Sequence, residues 1–456
     1  MDTNTIFGRL KLFNTFWDSR FEDLTRDTWK TTTYRDFSAG LIVALTAIPM
    51  AMGFAMAMGL RPEQGIIAGA LACIVGRTWG GSKYQVYGPT AAFIPVIAGL
   101  MGKYGESNGG SFSQAHGFLV FCSIVAGVIL MLMGLFGVGR YAKLVPNSIV
   151  VGFTVGIAVA IALTNIGDAI GVEAGTGSLF QKVGTTLSQV GVTNPYALAL
   201  ALATFLMSRY LLRISIFIPA PLIALGVCTL VAATAWSSKG IVLVGDRYGR
   251  IPSNFFVFTG PKLPALSASL FVDMAYFVGA IVFVSAVESL LCSSMADRLA
   301  NNKRTPFNPD KEFWGQGMVQ IITPLINGFP CTGALARTAT SIKAGAVTPL
   351  AGYFKGVLKI GLAIFVAPWL ELVPMACIAG ILLWVATNMI KPAEIRDVMT
   401  EKRYHIGLMA YTAVMVPILG FLEGVLSALI IYALIVKFTN ETLPTVERAN
   451  ATPTDH

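Results

Sequence analysis

Long, unbroken apolar runs constrain this chain more than any other feature. The first covers residues 36–59. A helix of about 20 such residues spans a hydrocarbon layer roughly 30 Å thick. Strands crossing the same layer would alternate apolar with polar residues, and these runs do not. Charged residues are 12% of the chain and hydrophobic ones 55%, against roughly 25% charged in a soluble domain. So little charge cannot cover a soluble globule of 456 residues. The composition predicts an all-α polytopic membrane protein with about 14 transmembrane segments. By length and breakers they run over 36–59, 63–80, 88–101, 113–137, 145–166, 195–212, 219–236, 268–296, 313–327, 331–345, 349–368, 371–389, 404–418 and 421–438.

Charge supports that layout. With the N-terminus inside, 25 of the 33 Lys and Arg fall on the cytoplasmic side and 7 outside, while Arg337 lies within a span. This bias puts both termini in the cytoplasm of a bacterial inner (plasma) membrane. The net charge of +9 then belongs to loops that set topology. No basic run with interleaved aromatics points to nucleic acid. The six cysteines sit in apolar stretches without a CxxC pair, and there are three histidines, so neither structural zinc nor a disulfide framework is expected. The polar, mixed-charge residues 1–35 lack the layout of a signal peptide and read as a cytoplasmic N-terminal segment. Residues 439–456 read as a cytoplasmic tail, which would leave the sequon at Asn440 without meaning.

The chain carries an internal repeat. Leu144-Val145-Pro146 is followed by Gly152, and Leu372-Val373-Pro374 by Gly380 at the same spacing. Seven segments per half is an odd number, so the second repeat (265–438) is inverted relative to the first (36–240). In each half one segment is too short to span, near 88–101 and near 331–345. Both open on small residues and proline, Tyr87-Gly88-Pro89-Thr90-Ala91-Ala92 and Gly328-Phe329-Pro330-Cys331-Thr332-Gly333-Ala334. Paired short segments in corresponding positions mark a transporter's binding site.

A half-helix that starts at mid-membrane leaves its first N–H groups unpaired and about half a positive charge at that end. Pro89 and Pro330 are expected at those helix starts, since proline has no N–H to leave unpaired. Thr90 and Thr332 add hydroxyls. Two such ends facing each other bind an anion without a metal or cofactor; the competing reading is a pair of kinked spanning helices. Arg337 adds a full charge at the same depth, unless it snorkels to the interface. Glu288 lies deep in the apolar run 281–292 and must pair, bind a cation or carry a proton. A structural ion pair with Arg337 competes with a role in proton coupling. Lys355, Lys359 and Glu423 read as packing or interface charges, Asp297 and Arg298 as a cytoplasmic helix end, and the Met50–Met58 methionines as packing.

These residues also resemble a known family, the SulP anion transporters related to mammalian solute carrier family 26. The likeness is carried by Asp36-Phe37-Ser38-Ala39-Gly40 through Ile48-Pro49-Met50-Ala51-Met52-Gly53-Phe54-Ala55, by Tyr87 to Phe93, by Val287-Glu288-Ser289-Leu290-Leu291, and by Thr332 to Thr340. The resemblance implies the uracil-permease-like 7+7 inverted repeat. In it a core domain (36–137 and about 268–368) moves like an elevator against a gate domain (141–236 and 369–438). It puts Phe54, Thr90, Ala91, Gly333, Ala334 and Arg337 around the substrate, with Glu288 as the proton-coupling residue. It implies a secondary active transporter of a small oxyanion of the sulfate, bicarbonate or dicarboxylate class, in a homodimer. The alternative is an uncoupled exchanger or channel.

Three departures qualify the likeness. The chain stops at His456, so the family's STAS domain is expected to be either absent or cut off. Met50 stands where many sulfate permeases have Gln. Cys292 stands where sodium-coupled members have Thr, four residues after an acid, which makes a co-transported proton the expectation over sodium. A nucleobase permease would add a second acidic side chain. An enzyme would need a His pair, an HExxH or a nucleophile elbow, and none is present.

Overall fold

The computed structural model describes residues 6–106, 109–139, 146–172, 179–252 and 254–438. The tail 439–456, and Leu144 and Val145 of the first repeat motif, lie outside the described residues. Helix starts follow the local chemistry. Asn194 and Asn308 cap helices whose first residue is proline, and Ser111 and Ser267 cap two more with their hydroxyls.

In the first half the order is α1 (Ile6–Phe13), α2 (Trp29–Ala57), α3 (Pro62–Trp79), the strand β1 (Tyr87–Gly88), α4 (Ile94–Tyr104), α5 (Phe112–Leu135), α6 (Asn147–Ile170), α7 (Leu179–Ser188), α8 (Pro195–Ile214), α9 (Ala220–Thr234) and α10 (Val244–Tyr248). The second half runs α11 (Ala268–Leu299), α12 (Pro309–Leu325), the strand β2 (Thr332–Gly333), α13 (Leu335–Lys343), α14 (Leu350–Leu370), α15 (Met375–Met389), α16 (Pro392–Met399), α17 (Arg403–Leu419) and α18 (Phe421–Phe438). Among the described residues eight helices, counting Met375–Met399 as one, are long and apolar enough to cross a membrane.

Small residues let these helices approach closely, the packing mode of membrane interiors. Gly127 on α5 and Gly317 on α12 face each other. A Cβ on Gly127 would stand 2.7 Å from the Gly317 carbonyl oxygen, and one on Gly317 would stand 2.5 Å from that of Gly127. Gly40 brings α2 against Ala351 of α14 in the same way. The glycines of the repeat motif do equivalent work: Gly152 on α6 meets the Met409 carbonyl of α17, and Gly380 on α15 meets the Ala201 carbonyl of α8. Helices α2, α3, α5, α11, α12 and α14 pack on one another, as do α6, α8, α15 and α17.

The N-terminal segment docks on this bundle. Lys311, in the first turn of α12, donates to the Leu12 and Thr15 carbonyls at 3.2 and 2.9 Å and to Asp18 at 2.7 Å. Asp18 also accepts from Arg20 Nε at 2.8 Å. Burial alone would raise the Asp18 carboxyl, but Arg20 and then Lys311 hold it below its ordinary value.

Candidate functional site

β1 and β2 are two residues each, and they pair antiparallel, Tyr87 opposite Gly333 and Gly88 opposite Thr332. The pairing is extended by the Ala334 N–H, which donates to the Val86 carbonyl at 2.9 Å, and by the Val86 N–H, which donates to Thr338 Oγ1 at 2.8 Å. No side chain fits at Gly333: a Cβ there would stand 2.6 Å from Gln85 Cδ and 2.9 Å from Cys292 Cβ. Gly88 adopts φ +155°, and a Cβ on it would crowd the Arg337 guanidinium.

Each strand leads into a short helix. A 3-10 turn at Ala91–Phe93, with Thr90 as its N-cap residue, precedes α4, and Ala334 is the N-cap residue of α13. Neither position supplies a side-chain cap. The first-turn N–H groups of both starts therefore keep their capacity for an outside acceptor. The prolines sit elsewhere than the sequence reading puts them. Pro89 and Pro330 lie in extended chain upstream of the helix starts. Gly88, the residue before proline, is biased to extended backbone, and Pro89 has no N–H with which to continue the ladder.

The structure brings the expected residues Thr90, Ala91, Glu288, Gly333, Ala334 and Arg337 around this strand pair. Thr90 Oγ1 donates to Glu288 Oε2 at 2.8 Å, which ties the start of α4 to the middle of α11. Arg337 Nη2 donates to the Pro89 carbonyl, and Arg337 Nη1 is buried without a hydrogen-bond partner among the described residues. Among the described residues no ion pair joins Arg337 to Glu288, so the structural-pair alternative is not realised. Arg337 is 5% exposed and does not snorkel. Phe54 is buried on α2 in the apolar cluster that also holds Tyr87 and Ala91.

Sequence reasoning missed three buried groups here. Glu312 accepts from Gly81 N, Ser82 N, Gln85 Nε2, Ser289 Oγ and, with both oxygens, from Tyr87 Oη, at 2.6–3.2 Å. This single carboxylate fastens the loop before β1 to α11 and α12. Lys355 and Lys359, read as packing or interface charges, are 1% and 0% exposed. Lys355 Nζ donates to the Tyr87 carbonyl at 2.8 Å and Lys359 Nζ to the Gly65 carbonyl at 3.4 Å. Two of the 25 cations assigned to one side are thus interior groups. The signal was visible: two lysines at i, i+4 inside an apolar helix share one face. Asp297 closes α11 as expected, accepting from Phe307 N at 2.7 Å and Asn302 Nδ2 at 2.8 Å.

A bundle of apolar helices with a polar seam where two broken segments meet is the build of an integral membrane transporter. The sulfate permease family model matches residues 34–412, and the chain belongs to that family. YvdB of Bacillus subtilis (strain 168), which bears a sulfate transporter's name, is 34% identical over 403 residues, 87% of this chain and 72% of that one. The bicarbonate transporter BicA of Picosynechococcus is 26% identical over 365 residues, 78% of this chain and 61% of that one. Among solved structures, the transmembrane domain of a cyanobacterial BicA superposes with TM-score 0.76 at 22% identity, covering 87% of this chain and 97% of the other. Murine Slc26a9, an anion transporter in its inward-facing state, gives TM-score 0.78 at 15% identity over 90% of this chain and 69% of the other. The family and these relatives are transporters, not enzymes, and anion transport is the class of function they support.

Proposed function

We propose that the protein is a secondary active transporter of a small oxyanion of the sulfate, bicarbonate or dicarboxylate class, coupled to protons through Glu288. One observation carries the reading: two uncapped helix starts meet at the β1–β2 pair, with the partnerless Nη1 of Arg337 beside them. The anion accepts from the first-turn N–H groups that begin at Ala91 and, after the Ala334 cap, at Leu335, with Thr90, Gly333 and Phe54 shaping the space and Arg337 supplying charge. Protonation of Glu288 removes a negative charge bonded to Thr90 at this locus and so strengthens anion binding. That makes proton and anion binding mutually favourable.

The wider architecture in this proposal is fourteen spans in a 7+7 inverted repeat with both termini cytoplasmic, the β1–β2 pair lying on the pseudo-twofold. The exchange of helix partners supports it: α6 packs on α17 as α15 packs on α8, and α5 packs on α12 as α14 packs on α3. Alternating access moves the core helices, α2–α5 and α11–α14, as an elevator against the gate helices α6, α8, α9, α15, α17 and α18. Partly exposed Glu288, Leu291 and Met295, at i, i+3 and i+7 on α11, supply a path from the site toward one end of the bundle. A second reading, an uncoupled exchanger or channel, is favoured by the Thr90–Glu288 hydrogen bond, which gives Glu288 a structural task.

Uptake of labelled sulfate, bicarbonate and succinate into proteoliposomes, with and without an inward proton gradient, tests the proposal. Gradient-driven accumulation of one anion, lost in Glu288→Gln, is the expected result. Equilibration without accumulation, unchanged in the variant, would establish the second reading instead.

A further inference from the structure

We propose that Lys355 and Lys359 are specificity-determining residues that set the valence of the transported anion, favouring a dianion over a monoanion. The proposal rests on the anion-transport reading and deepens it.

The two lysines lie one turn apart on the face of α14 that packs against α3 and β1. Lys355 Nζ is bonded to the Tyr87 carbonyl and Arg337 Nη2 to the Pro89 carbonyl, so two cations from different helices hold the same short strand from either side of Gly88. Lys359 Nζ occupies the space left by Gly69, where a Cβ would collide with it. That Cβ would also touch Pro89 Cδ at 3.1 Å, so this ammonium too stands beside the strand's end.

No acid forms an ion pair with Arg337, Lys355 or Lys359 among the described residues, and all three are at most 5% exposed. The acids nearby are otherwise engaged. Glu312 is saturated by its six hydrogen bonds, and Glu288 accepts from Thr90. Three basic side chains against two acids leave one positive charge uncompensated when all are ionised, and two when Glu288 carries the coupled proton. Buried charge without a partner is costly, and a doubly charged substrate at the adjoining helix starts relieves it.

The consequence is quantitative. Coulomb energy is linear in ligand charge. Removing one ammonium therefore weakens a dianion by the square of the factor by which it weakens a monoanion of similar size. A loss of about tenfold for the monoanion becomes about a hundredfold for the dianion. A residue that merely supports the fold would weaken both by the same factor.

The experiment measures KM for sulfate and for nitrate with the full chain in proteoliposomes, for the wild type, Lys359→Met and Lys355→Met. Methionine keeps most of the buried stem while removing the charge. The wild type should take sulfate at lower KM than nitrate. Lys359→Met should raise the sulfate KM by about the square of the nitrate factor, and Lys355→Met should do the same on top of any loss from the Tyr87 contact. Equal factors for the two anions, or unchanged values, would overturn the assignment. So would a wild type that prefers nitrate, a result that needs no variant to fold. Wild-type vesicles that carry none of sulfate, nitrate, bicarbonate and succinate above protein-free vesicles would defeat the transport reading itself. Transport of nitrate in preference to sulfate defeats only the proposal made here.

Discussion

Replacing Glu312 by glutamine tests how the strand pair is held in place. The carboxylate receives six hydrogen bonds from five groups, three of which (Gly81 N, Ser82 N and Gln85 Nε2) are donors without acceptor capacity. A glutamine side chain keeps one oxygen and turns the other acceptor into a donor. That NH2 cannot face Gly81 and Ser82, whose two N–H groups cannot become acceptors. It must therefore face Gln85, Ser289 and Tyr87. There the hydroxyls rotate to accept, but Gln85 Nε2 opposes it unless that amide also flips, which would break the bond Gln85 Oε1 accepts from Ser293 Oγ. One lost bond with a buried donor left over costs about 1–3 kcal/mol, and the loss of charge assistance on the rest adds about 1–2 kcal/mol. The sum is on the order of 3 kcal/mol, a factor of about 150 in the local equilibrium. Glu312→Gln should lower the midpoint of thermal unfolding in detergent and raise KM for the transported anion, because the loop before β1 is no longer fixed. Tyr87→Phe, which removes one donor and leaves the carboxylate four others, should cost about 1 kcal/mol. A Glu312→Gln protein as stable as wild type, with unchanged KM, would mean that the side chain is already a neutral acid and that the ionic account of this junction is wrong.

Three further expectations follow from the same contacts. Gly333→Ala puts a methyl 2.6 Å from Gln85 Cδ and 2.9 Å from Cys292 Cβ, so the β1–β2 pair must part and anion uptake should be abolished while the protein still elutes as a folded species. Thr90→Val removes the donor to Glu288, at a cost of about 1.5–3 kcal/mol if the acceptor is charged; uptake should fall by ten- to a hundredfold, and Thr90→Ser should restore it. The Asp18 carboxyl is held below its ordinary value by Arg20 and Lys311, so its contribution to docking residues 6–28 is complete above its unfolded value. That contribution is lost as pH falls below about 4 through the folded value. Amide hydrogen exchange across this segment should accelerate on acidification in the wild type, whereas in Asp18→Asn it should already be fast at pH 7.

The helices were legible because burial in lipid writes itself as continuous apolar sequence; Gly152 and Gly380, alike in their sequence setting, each meet a neighbouring backbone. What escaped was governed by contacts between distant residues. The polar stretch Pro309-Asp310-Lys311-Glu312 read as a connection, which started the ninth segment at residue 313 when α12 begins at Pro309. Lys311 and Glu312 were thus assigned to a loop, although their partners lie in the N-terminal segment and before β1. Proline was read by its preference for the first turn of a helix, but at Pro89 and Pro330 the extended pairing of Tyr87–Gly88 with Thr332–Gly333 takes precedence. Lys355 and Lys359, at i and i+4, showed a shared face in the sequence, but only the placement of Tyr87 and Gly65 on facing elements gives their charge a destination. The cluster of Thr90, Glu288 and Arg337 was found because a charge in an apolar run has few inexpensive explanations.

The strand pair also sets the order in which the molecule can be completed. Tyr87 must wait for Gly333, and Val86 for Thr338, so during synthesis the first half enters the bilayer with the edge of β1 unsatisfied and with Gln85 and Tyr87 lacking the carboxylate of Glu312. Two residues of ladder are too little to hold such a long loop closed by themselves; the glycine-lined contacts of α5 with α12 and of α2 with α14 must bring the halves together first. The proposed binding locus is therefore the last part of the fold to form and belongs to neither half alone. A chain released before α13 is made would have most of its spanning helices and no site.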